Sequence, residues 1–94
     1  MKLYLIHCGF YDADLFEAVY ESHVNFFVVA ESFEAARIKA KQHPEYKRKH
    51  MHVDGLQEIQ VVDGWEVDLK KSSRENDVII SSRHRELATP AKGT

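Results

Sequence analysis

The chain has 94 residues, 44% of them hydrophobic and 30% charged, with a formal net charge of −2. This composition excludes a disordered or fibrous polymer and suits one small domain, because chains divide only above roughly 250 residues. No apolar run approaches the about 20 residues of a membrane span. Cys8 is the single cysteine and forms no internal disulfide, so a cytoplasmic, reducing location is expected. Residues 1–8 only faintly resemble a lipoprotein leader, since the apolar stretch is short and bulky His7 precedes the cysteine.

In chain order, residues 2–8 predict a strand, with Leu3 and Leu5 on one side and Tyr4 and Ile6 on the other. Residues 23–30 read alike, with Val24, Phe26, Val28 and Ala30 on one face and Phe27 and Val29 on the other. Apolar residues on both faces predict two central strands covered above and below. Between them, residues 14–20 suit one or two helical turns. Ser32 predicts an N-cap, with Glu34 in the first turn and Phe33, Ala36 and Ala40 as a helical stripe over 33–42. Pro44 is expected to end that helix.

Residues 50–53 predict a short strand before a turn at Asp54-Gly55, and residues 56–70 predict a hairpin around Asp63-Gly64. A three-residue loop, Val62-Asp63-Gly64, sets Val61 opposite Trp65 and Ile59 opposite Val67. That register keeps one apolar face and predicts a type I turn with a bulge at Gly64. Val78, Ile79 and Ile80 predict an edge strand, and residues 88–94 read as a tail. The fold class expected is α+β, a mostly antiparallel sheet of four or five strands with one principal helix packed on one face. Residues 1–71 form the domain, and 72–94 add an edge strand and tail.

Charge is segregated along the chain. Residues 1–36 carry a net −5, 37–52 a net +5, 53–69 a net −5 and 70–94 a net +3. Neighbouring blocks are expected to neutralise one another on the folded surface. The sharper alternative is an anion or nucleic-acid site in the 37–52 block, centred on Lys47, Arg48 and Lys49 beside Tyr46.

Candidate chemistry is sparse. His50 and His52 share a strand face, with Asp54 following, and imidazole with carboxylate is a sensible transition-metal set. A dinuclear hydrolase motif needs another histidine after the aspartate, where Gly55 stands, so solvated histidines beside a turn are the default. Glu21 lies two residues before His23 and can orient its imidazole, half of a catalytic constellation. Cys8 reads as a packing residue. With no Gly-rich phosphate loop and no Cys-x-x-Cys, no cofactor is expected.

Taken together, Lys2-Leu3-Tyr4 leading to Gly9, Glu21-x-His23, Phe27-Val28-Val29, the Ser32 helix, His52-Val53-Asp54-Gly55 and Val62-Asp63-Gly64-Trp65 resemble a bacterial family of small uncharacterised domains. The resemblance spans residues 2–70. Family members carry a second glycine and an aspartate where this chain has Phe10 and Val24. The family has no established activity, so the resemblance implies a fold unit and no reaction. It singles out Glu21, His23, His52 and Asp54 as candidate binding residues.

The function expected is a noncatalytic, homo-oligomeric binding or interaction module. One alternative is a small enzyme or metal site using His23 and His52; the other is the basic block just described. A homodimer is expected because one short helix covers only one face of two doubly apolar strands.

Overall fold

The computed structural model describes residues 1–11 and 21–83. The turns expected over 14–20 and the tail over 88–94 lie outside the described residues. Strand β1 (Lys2–Tyr11) runs between β2 (Glu21–Ala30) and β3 (His52–Ile59), and both pairings are antiparallel. It follows that β2 and β3 are parallel to each other on opposite sides of β1. The connection between them carries helix α1 (Phe33–Lys41) and the short helix α2 (Pro44–Arg48).

Alternation along β1 decides where the core lies. Tyr4, Ile6, Cys8 and Phe10 point to the helical side and are buried with Ala30, Ala36, Ala40 and Met51. Ala36 and Ala40 expose nothing, and their small side chains let α1 lie close on the sheet. Val24, Phe26 and Val28 of β2 and Val53 and Leu56 of β3 pack around this cluster. The side of the sheet away from the helices carries no helix or strand among the described residues, and the 77–79 segment stands beside its β2 edge. Strand β2 is therefore an edge strand, covered on one face, and not the doubly covered central strand its two apolar faces suggest. Lys39 of α1 reaches over this strand, its Nζ donating to the Val29 carbonyl at 2.8 Å, and a lysine set against an edge discourages further pairing.

Ser32 caps α1 as expected, its Oγ accepting the Ala35 amide at 3.1 Å. The helix stops at Lys41. Pro44 then does more than end it: proline occupies the first position of α2, where its missing N–H costs nothing, and His43 Nδ1 accepts the Glu45 amide at 3.2 Å. A single principal helix is thus corrected to two. The second has only half-buried Tyr46 as an apolar anchor, so no stripe advertises it.

Three further expectations are overturned. Asp54-Gly55 is not a turn but lies inside β3. The hairpin, β4 (Val61–Val62) and β5 (Trp65–Glu66), pairs Val62 with Trp65 and Val61 with Glu66. Its loop is therefore two residues, with φ of 53° at Asp63 and 81° at Gly64, the two positive values a type I′ turn needs. The predicted register rested on gathering Val61 and Trp65 onto a buried face, but both are exposed, Trp65 by 77%. With no burial to select a face, turn chemistry sets the register. Finally, residues 78–80 form no strand, and Ile80 is 92% exposed. The five strands thus divide into a three-stranded sheet and a separate two-stranded one.

Tyr4 is fully buried edge-on against Phe33, and its hydroxyl has no hydrogen-bond partner among the described residues. Tyr4→Phe should therefore leave stability unchanged or raise it by up to about 1 kcal/mol, because an unpaired buried hydroxyl is costly. Urea unfolding followed by far-ultraviolet circular dichroism checks this, and a clear loss of stability would reveal a hydroxyl partner. Gly64→Val should weaken the hairpin by about 1 kcal/mol, since branched residues resist positive φ. Faster exchange of the Val67 amide, which donates to the Gln60 carbonyl at 2.8 Å, reports this locally.

Candidate functional site

The open face of the sheet divides into an apolar and a polar end. Leu3 and Leu5 of β1 lie opposite Val29 and Phe27 of β2, with Ile59 of β3 opposite Leu3. Farther along, the same alternation brings His7, Gly9 and Tyr11 to this face, with Gly9 itself buried beneath its neighbours. Gly9 stands opposite His23 on β2 and His52 on β3, while Glu21 lies opposite Tyr11.

Position 9 has no side chain, and the neighbouring strands fill the gap. A Cβ on Gly9 would collide with Glu21 Oε1 and lie 2.8 Å from both Asp54 Oδ2 and His52 Nε2. The glycine is required for close approach of these groups rather than for backbone freedom. Asp54 reaches them through a bulge: Cys8 pairs with Val53 and His7 with Gly55, leaving Asp54 as the extra residue. Strict alternation from Val53 would bring Leu56 to the open face. The bulge keeps both packed on the core while sending Asp54 outward.

The four candidates form a closed ring of contacts. His52 Nε2 lies 2.6 Å from Glu21 Oε1 and 3.1 Å from Asp54 Oδ1. His23 Nε2 lies 3.4 Å from Asp54 Oδ2 and 3.5 Å from Glu21 Oε2. Each carboxylate thus offers one oxygen to each imidazole. All four side chains are partly exposed, so the ring is open to solutes. His7 extends it: its Nδ1 lies 2.6 Å from Asn25 Oδ1, and its ring stacks on His23 with centroids 4.9 Å apart and planes within 11°. His7, Asn25 and the role of Gly9 were missed from the sequence. The usable signal was the period of two, which puts His7 and Gly9 on one face of β1.

The other candidates lie elsewhere. Cys8 faces the core; burial, and then the negative charge of Asp54, pushes its thiol pKa up, opposite to what a nucleophile needs. Lys47, Arg48 and Lys49 sit on α2 and its C-terminal cap, on the helical side. Arg48 forks onto both carboxylate oxygens of Glu45 at 2.7 and 2.9 Å, and Lys49 Nζ sits 4.6 Å from the Phe10 ring centroid. Arg37 likewise pairs with Glu34 at 2.7 Å. Much of the positive block is satisfied by near neighbours.

Gly9→Ala should open the ring without unfolding the protein, because the groups it meets are the ends of partly exposed side chains that can swing aside. The expected result is a stability change below about 1 kcal/mol together with displaced His23 and His52 imidazole resonances. Unmoved resonances would show that the ring does not depend on the bare glycine.

Searches of curated proteins and of solved structures return no match for the chain. Residues 18–69, by contrast, match the family described as Domain of Unknown Function (DUF1543). The matched stretch includes Glu21, His23, His52 and Asp54, while Gly9 and His7 precede it. With more than half of its length matched, the chain belongs to the DUF1543 family of domains of unknown function.

Proposed function

We propose that this domain is a noncatalytic binding module that works as a homodimer, with the open face of its sheet as the shared surface. The observation that carries the reading is the apolar end of that face. Phe27 is 60% exposed there, beside half-buried Leu3, Leu5, Val29 and Ile59. A cleft of about 540 Å³ wraps the adjoining edge at β2, where Leu3, Phe27 and Val29 meet the 77–79 segment and Lys39 and His43 of the helical side. Apolar side chains gathered on an uncovered sheet face favour association, since their burial releases ordered water over a large area.

A second copy is the occupant that suits this surface best. The core is thin among the described residues, with eight buried apolar residues in the main cluster. A self-complementary two-fold contact would cover both open faces at once. The internal pairing of Arg37 and Arg48 leaves the basic block less suited to a nucleic acid or another anion. A buried thiol with a raised pKa argues against nucleophilic catalysis at Cys8. A cytoplasmic setting fits the lone free cysteine, and among the described residues no helix is long and apolar enough to cross a membrane.

Light scattering at micromolar concentration should give about twice the 10.9 kDa chain mass, and Phe27→Glu should return the monomer mass. A monomer mass for the unmodified chain, independent of concentration, would overturn the proposal.

A further inference from the structure

The geometry points to a divalent transition-metal site of the zinc or nickel class, formed by Glu21, His23, His52 and Asp54 over Gly9. Two imidazole nitrogens and two carboxylates are a borderline donor set, well matched to these ions and poorly matched to magnesium or calcium, which prefer oxygen alone. The two carboxylates bring two formal negative charges to one small space, which a divalent cation balances.

Glu21, His52 and Asp54 already stand close enough to share one ion, with His23 beside the other oxygen of each carboxylate. Ligand atoms about 2.05 Å from a tetrahedral ion stand roughly 3.3 Å apart. The ring has N···O separations of 3.1, 3.4 and 3.5 Å, with the Glu21–His52 pair at 2.6 Å. Closing on one ion widens that last pair by about 0.7 Å and turns each carboxylate so that one oxygen serves both imidazoles, within the reach of partly exposed side chains. Ligand atoms of Glu21, His52 and Asp54 lie within 4.8 Å of one another, as do those of His7, His23 and Asp54.

Two features unrelated to the donor types support the assignment. The bare floor at Gly9 admits ligand tips where a Cβ would collide, and the bulge spends an unpaired strand residue to bring Asp54 to the same open face. His7, held by Asn25 and stacked on His23, fixes the plane of one ligand ring, as neighbours of metal-bound histidines commonly do. Four protein ligands leave no open position for substrate, which suits a structural or sensing ion that fastens β2 to β3 across β1.

Calorimetric titration of the tag-free full chain, stripped with chelator, with zinc and nickel chlorides tests the site. One ion should bind per chain, and the melting temperature should rise with it. His23→Ala and His52→Ala should each weaken binding on the order of 100-fold, and Gly9→Ala by about 10-fold although it removes no ligand. Circular dichroism confirms that each variant is folded, and Cys8→Ala and His50→Asn should bind as the unmodified chain does. Phe27→Glu separates this site from the dimer, since a monomeric variant should still take up the ion. No heat of binding, or binding that survives both His23→Ala and His52→Ala in folded protein, would overturn the proposal. So would tighter binding of magnesium or calcium than of zinc.

Discussion

The central position of β1 between two antiparallel neighbours is the constraint on which the rest depends. Once β1 is flanked on both edges, its alternating side chains are committed: Tyr4, Ile6, Cys8 and Phe10 build the core under the helices, and Leu3, Leu5, His7 and Gly9 surface the opposite face. The flanking strands inherit this division through register. Hydrophobic burial on one side thus fixes, to the residue, which polar groups meet on the other. The candidate site is in that sense a by-product of core packing, with one local exception at Asp54.

That exception limits how much of the molecule was legible from its sequence. Strands β1 and β2 and helix α1 were readable because period-two alternation and a capping serine leave strong local signals. Glu21, His23, His52 and Asp54 were readable as candidates. Their meeting was not, because it depends on β2 and β3 both adding to β1 with Gly9 between them. Asp54-Gly55 carries the same local chemistry as Asp63-Gly64, yet one is a bulge and the other a turn. The difference lies in the partner strand: at Asp54 the neighbouring Val53 and Leu56 are held on the core, and at Asp63 nothing is.

The charge blocks illustrate a similar point. Segregation read along the chain suggested pairing between neighbouring blocks or with a partner. In the fold, Arg37 and Arg48 find acids one helical turn away, across the very block boundary in the first case. Pairs of this kind are exposed and screened by solvent, so they shape the surface far more than they hold the fold.

The exposed hairpin has a consequence for optical work on this domain. Trp65 is the only tryptophan, and it stands almost clear of the protein rather than in the core. Its emission is already that of an indole in water while the chain is folded. Intrinsic fluorescence is consequently nearly blind to unfolding of the three-stranded sheet, whereas anything that comes to rest on the hairpin shifts it toward the blue.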